Sequence, residues 1–192
     1  GALDSAEFYA VTPDSQDLRS QARVALDALD KIERLDFQPA LAQGVLGTDF
    51  RVQRMITNGN DLYLLNAVQG NVLRAYMTGR GYEVDATFKC GPSYGALVVG
   101  QLVDIIALSP GTYKEATLLG IDASGNLLYC SANGDQPEAV QLALPGNFKA
   151  ATNLEIDFGD LYVLDPQSKA VWLYNNMNVD QLPRDFFGED RP

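Results

Sequence analysis

Residues 155–174 read Glu155-Ile-Asp-Phe-Gly-Asp160-Leu-Tyr-Val-Leu-Asp165-Pro-Gln-Ser-Lys-Ala170-Val-Trp-Leu-Tyr174. Two apolar runs rich in β-branched and aromatic residues surround a short turn, the pattern of an antiparallel hairpin. Asp165 closes the first run for a physical reason. Its side chain can accept backbone N–H groups just ahead of it and so open the turn.

Working outward, the same pattern recurs twice. Met55 to Asn66 (Met-Ile-Thr-Asn-Gly-Asn-Asp-Leu-Tyr-Leu-Leu-Asn) leads through a turn to Val72-Leu-Arg-Ala-Tyr76, and Ala116 to Asp122 leads through Ala-Ser-Gly to Asn126-Leu-Leu-Tyr129. The closing residues Asn66, Asp122 and Asp165 lie 56 and 43 residues apart. The second interval matches the roughly 40 to 45 residues of a four-stranded propeller blade. The surplus in the first coincides with a Gly-rich stretch, Cys90 to Gly100. Preceding strands fit at Arg51–Thr57, Leu102–Leu108 and Ala150–Ile156, and fourth strands at Tyr82–Phe88 and Ala139–Leu144.

The expected fold is therefore mainly β: about three four-stranded antiparallel blades of a β-propeller over residues 46–192, preceded by a helical arm over residues 1–45. Propellers carry four to eight blades, so three imply an incomplete ring or one completed by a second chain. The tail Leu182–Pro192 reads as a linker into another blade, and the start at Gly1-Ala2 without Met reads as a processed or excised piece. Open blade faces are expected to be apolar and to invite association.

Asp160 to Tyr174 resembles an NHL-type or six-bladed propeller blade, and Asp61 to Tyr76 is a looser match. With the preceding helix and Val99-Gly-Gln-Leu-Val-Asp-Ile-Ile106, the chain also resembles uncharacterised bacterial propeller domains found beside phosphatase or kinase modules. That resemblance implies an architecture. It leaves the compartment open, with an extracytoplasmic setting favoured.

In the arm, Leu18, Ala22, Ala25, Leu29 and Ile32 share one helical face, predicting a helix from Gln16 to Leu35 capped by Asp14 or Ser15. It is read as docking on its own chain or an upstream module, or as dimerising over residues 15–35. Pro39 and Gly44 end it.

Composition narrows the chemistry. The 192 residues are 46% hydrophobic, which speaks against global disorder, and carry a formal charge of −11. That charge repels phosphate backbones, so no nucleic-acid partner is expected. No apolar run is long enough to insert in a membrane. There is no histidine, which removes the usual neutral-pH base and every His-ligated metal. Two cysteines, Cys90 and Cys130, fit a disulfide or, at least as well, two buried thiols.

Individual candidates are few. Asp61, Asp122, Asp160 and Asp165 read as equivalent turn residues rather than calcium ligands. Ser93, Ser109 and Ser131 have no histidine to activate them, and Gly91–Gly100 lacks a phosphate-loop ending. No catalytic residue, metal site or cofactor is assigned. Tyr63, Tyr129, Tyr162 and Trp172 read as core. A binding surface is sought first at Tyr82, Tyr94 and Tyr113 with Arg80, because loops on a rigid scaffold carry function. The expected function is a non-catalytic interaction or sensor domain with a protein or small-ligand partner. The alternatives are a propeller hydrolase or lactonase with a carboxylate-held divalent metal, and a structural module that dimerises through open blade edges or the helix.

Overall fold

A computed structural model describes residues 4–5, 8, 11–33, 39–92 and 97–188. The chain forms two compact units, Gly1–Pro39 and Ala40–Pro192.

The first unit carries α1 (Pro13–Asp30). Thr12, not Asp14 or Ser15, is its N-cap. The Thr12 hydroxyl accepts the Ser15 N–H at 3.2 Å, Ser15 Oγ accepts the Thr12 N–H at 3.1 Å, and Pro13 supplies a preset φ at the first helical position. The helix stops earlier than its apolar spacing suggested. Lys31 turns left-handed (φ 53°) and donates its N–H to the Asp27 carbonyl. No residue of α1 is buried, and Leu29 is 77% exposed.

Among its described residues, the second unit has twelve strands in three separate sheets, each a four-stranded antiparallel meander. Sheet 1 comprises β1 (Val52–Asn58), β2 (Asp61–Asn66), β3 (Val72–Thr78) and β4 (Gly81–Val84). Sheet 2 comprises β5 (Leu102–Ala107), β6 (Leu118–Asp122), β7 (Asn126–Cys130) and β8 (Glu138–Gln141). Sheet 3 comprises β9 (Asn153–Asp157), β10 (Asp160–Asp165), β11 (Ala170–Tyr174) and β12 (Arg184–Asp185). Leu62–Leu65 and Leu161–Leu164 thus lie in different sheets. The tail is not only a linker, because Arg184-Asp185 pairs with Leu173 and Trp172 as the fourth strand of sheet 3.

Side-chain alternation explains why the sheets stack. In sheet 2, Leu119, Ile121, Leu127 and Tyr129 face sheet 3 and pack with Leu161, Val163 and Trp172. Leu118, Leu128 and Ile105 face the other way, against Tyr63, Leu65 and Val72 of sheet 1. A middle sheet covered on both faces must be apolar on both, and every residue of β6 is buried. Gly120 permits this: a Cβ there would stand 2.8 Å from Leu102 Cδ1.

The first strands form an inner row, with β5 against β1 on one side and β9 on the other. Asp104 of β5, 1% exposed, ties the row together. Its carboxylate meets Arg54 Nη1 of β1 at 3.2 Å and accepts the Leu154 N–H of β9 at 3.0 Å. Arg54 also reaches Glu155 of β9 at 3.8 Å. The sheets fan out from this row in a propeller-type arrangement and do not close into a barrel.

The three turn residues do what the repeat implied. Asn66, Asp122 and Asp165 are each at most 2% exposed. Asp122 accepts Ser124 and Asn126 N–H of its own turn and Gly100 N–H from the segment entering its sheet. Asp165 likewise takes Ser168 N–H together with Lys149 and Ala150 N–H, and Trp172 Nε1–H besides. Asn66 takes Val68 and Arg51 N–H. Asp61 and Asp160 are not equivalent to these, since they open the second strands at the other end of the hairpins.

Cys90 and Cys130 form a disulfide with Cα atoms 5.7 Å apart, so the two-thiol reading is wrong. The bridge joins the segment after sheet 1 to β7 of sheet 2. The expectation of two open apolar blade faces is corrected at one end. Leu41, Leu46 and Phe50 cover Leu62 and Leu64 on the outer face of sheet 1. The outer face of sheet 3 keeps Leu164 and Phe186 at 38% and 55% exposure.

Candidate functional site

The loop between β5 and β6, residues 108–117, straddles one end of sheet 2 and borders a cleft on each side. The first, about 340 Å³, lies toward sheet 1 and is lined by Asn58, Asp61, Tyr63, Thr117 and Lys114 among others. Asn58, Asp61, Tyr63 and Thr117 there are already engaged. Asn58 Nδ2 donates to the Leu108 and Thr117 carbonyls at 3.0 and 2.9 Å, and Tyr63 Oη lies 3.0 Å from Thr117 Oγ1 and donates to Asp61 at 3.2 Å. Arg74 behind it binds Asp61 at 2.8 Å, Asp85 at 2.6 Å and the Ala132 carbonyl at 3.2 Å. Burial works against an ionised Asp85, but hydrogen bonds from Thr87 and Arg74 outweigh it and hold the carboxyl below its usual value. This cluster fastens sheet 1 to the β7–β8 turn of sheet 2.

The second cleft, about 250 Å³, lies toward sheet 3 and is lined by Tyr113, Lys114, Glu115, Ala116, Tyr129, Ser131, Asp135, Gln136 and Glu138. The rings of Tyr113 and Tyr129 stack with centroids 3.8 Å apart and planes 18° from parallel. Tyr113 donates its hydroxyl to Glu138 Oε1 at 2.7 Å, and Lys114 Nζ is on Glu138 Oε2. Lys114 and Tyr113 together hold the Glu138 carboxyl below its usual value. Burial, then Glu138, raises Tyr113.

Tyr129 differs from its neighbours. It is 4% exposed, and its hydroxyl has no hydrogen-bond partner among the described residues. Burial, with Tyr113 and Glu138 adding to it, pushes its phenol up to about 12, so it stays neutral. With its ring buried and its hydroxyl reaching the cleft unpartnered, Tyr129 offers that hydroxyl to water or ligand.

Of the four binding candidates from sequence, Tyr113 lines this cleft and Tyr94 lies outside the described residues. Arg80 sits exposed in the β3–β4 turn. Tyr82 is half-buried against the Leu62–Leu64 cluster, and neither it nor Arg80 lines either cleft. The structure therefore does not gather the four into one surface. Sequence reasoning passed over Asp135, Gln136 and Glu138, set Ser131 and Lys114 aside as an unactivated nucleophile and a base without a serine-lysine motif, and assigned Tyr129 to the core. The one available signal was the polar run Ser131-Ala-Asn-Gly-Asp-Gln136, longer than a tight hairpin needs. Among the described residues, no three or more Asp, Glu or Cys gather in a metal-holding group.

No protein-family model matches the chain, and no curated protein matches it in sequence. Among solved structures, the chain is similar to one described as the crystal structure of Myxococcus xanthus glutaminyl cyclase, with a TM-score of 0.45 and 18% identity. The match covers 67% of this chain and 50% of that one, so the chain spans about half the length of that protein.

Proposed function

We propose that this chain is a non-catalytic binding domain of propeller type, NHL-like in its hairpin motif, that takes its ligand in the cleft beside Tyr113 and Tyr129. The observation that carries the reading is the Tyr129 side chain, largely buried, with its hydroxyl reaching the cleft wall unpartnered among the described residues. Supporting it, the carboxylates at the turns and between the sheets are engaged in holding the fold. Asp61 and Asp85 are bound to Arg74, Asp104 to Arg54, and Asp122 and Asp165 to backbone N–H groups. Without histidine, the chain lacks the usual neutral-pH base for proton transfer. A disulfide between the sheets fits an oxidising compartment.

Fragment titration followed by amide NMR tests the reading. Shifts clustered at Tyr113, Ala116, Tyr129, Ser131 and Gln136 are expected, and Tyr129→Phe should weaken them while leaving the spectrum folded. Turnover of a lactone or ester panel, or shifts gathered at the inner-strand row around Arg54 and Glu155 instead, would overturn it.

A further inference from the structure

The Tyr113–Tyr129 cleft already contains a cation of its own. Lys114, held left-handed at φ 45°, puts its Nζ 5.1 Å from the Tyr113 ring centroid and on a Glu138 oxygen. The other oxygen of Glu138 accepts the Tyr113 hydroxyl at 2.7 Å. This is a carboxylate and an aromatic face arranged about an ammonium. Yet the Lys114 and Glu138 side chains are 66% and 44% exposed, and an ion pair so open to water is readily exchanged.

With Lys114 swung away, the lining holds three carboxyl side chains, Glu115, Asp135 and Glu138, and no cation. An anionic ligand would be repelled, as it would by the net charge of −11. Two hydroxyls remain. Tyr129 is unpartnered among the described residues, and Ser131, 8% exposed, receives the Asn133 N–H at 3.2 Å. A neutral phenol accepts an N–H donor well, and the buried Tyr129 has none.

We infer that the cleft binds a ligand through a primary ammonium or guanidinium group, which replaces the Lys114 ammonium on Glu138 and Tyr113 and donates a further hydrogen bond to Tyr129. The inference rests on the binding reading above and names the ligand's chemistry. Lys114 acts as a built-in competitor that keeps the carboxylate paired when the cleft is otherwise empty.

The test uses the full chain, labelled for amide NMR, and three probes: acetyl-Gly-Lys-Gly-amide, the same peptide with norleucine for lysine, and n-butylammonium. The lysine peptide should shift Tyr113, Lys114, Tyr129 and Glu138, and the norleucine peptide should not. Removing the competitor with Lys114→Met should tighten binding about tenfold. Glu138→Gln should weaken it at least about tenfold, because the incoming charge loses its partner. Butylammonium binding as well as the peptide identifies a free amine as sufficient, whereas peptide binding alone identifies a chain-borne cation. Equal shifts from the norleucine peptide would overturn the cation while leaving the cleft a binding site. No shift from either charged probe, or no gain from Lys114→Met, would also overturn the inference.

Discussion

Breaking the Cys90–Cys130 bridge should destabilise the unit formed by residues 40–192 by an amount that follows from its loop. The two cysteines are 40 residues apart. Closing a loop of that length removes about 13 cal/mol/K of chain entropy from the unfolded state, or about 4 kcal/mol at 25 °C. With a urea slope of about 2 kcal/mol/M for a domain of this size, the midpoint should fall by about 2 M. Trp172 makes the assay simple, because it is buried at the contact of sheets 2 and 3 and its fluorescence will report their separation. Urea curves would be compared for the oxidised protein, the reduced protein and the Cys90→Ala/Cys130→Ala variant. Since the two cysteines are 2% and 0% exposed, native-state reduction should proceed through opening and quicken with added urea. Superimposable curves for oxidised and reduced protein would refute the reasoning, as would two alkylatable thiols in the freshly folded chain.

Replacing Asp165 separates charge from geometry. Asp165→Ala strands the N–H groups of Lys149, Ala150, Ser168 and Trp172 and should cost about 3 kcal/mol. Asp165→Asn, which copies Asn66 in sheet 1, should cost roughly half, read from urea midpoints. Equal losses would show that the carbonyl acceptor Asn retains is irrelevant. Gly70→Ala should cost at least about 3 kcal/mol, since φ is +65° and the new Cβ would stand 2.5 Å from the Gln101 Cα. Gly120→Ala meets the Leu102 side chain, Cδ1 at 2.8 Å and Cδ2 at 3.1 Å, rather than backbone, and should cost about 1–2 kcal/mol. The reverse order of thermal midpoints would contradict that account. Acid should destabilise the fold. Asp85, Glu138 and Asp165 all sit below their usual values in the folded state, so the unfolded chain takes up protons first. The stability they contribute is present above about pH 4 and is lost as pH falls through their folded values. Urea midpoints at pH 7, 4 and 3 should decline, and less so in Asp165→Asn. A constant midpoint would refute this.

Much of the fold was legible because it follows from local physics. Period-two apolar runs, closing Asn or Asp residues and a repeat interval near blade length together placed three sheets and most of their strands. What the sequence concealed was non-local. The two-residue β12 carries almost no pattern, so it read as linker until its pairing with Trp172 was seen. The cover over sheet 1 comes from Leu41, Leu46 and Phe50, spread through turns with no periodicity. α1 ended early because one backbone conformation at Lys31 outweighed continuing apolar spacing. The candidate site was less legible than the fold. Tyr113 was singled out for lying in a long loop, but its stacking on Tyr129 joins positions 16 residues apart across a strand and a turn. Tyr129 occupies a strand position that predicts core, which is correct for its ring and uninformative about its hydroxyl. Arg80 and Tyr82 were chosen from a hairpin that the structure keeps apart from the cleft lining.

The buried carboxylate of Asp104 gives the molecule a hierarchy of opening. Sheet 1 and sheet 3 are each held to that oxygen pair from one flank, through Arg54 and the Leu154 N–H, whereas β5 is clasped from both. Either flanking leaf can therefore peel away and leave a two-leaf remnant, but the central leaf can loosen only after at least one neighbour has gone. Its amides should accordingly be the last in the chain to surrender their protons to solvent.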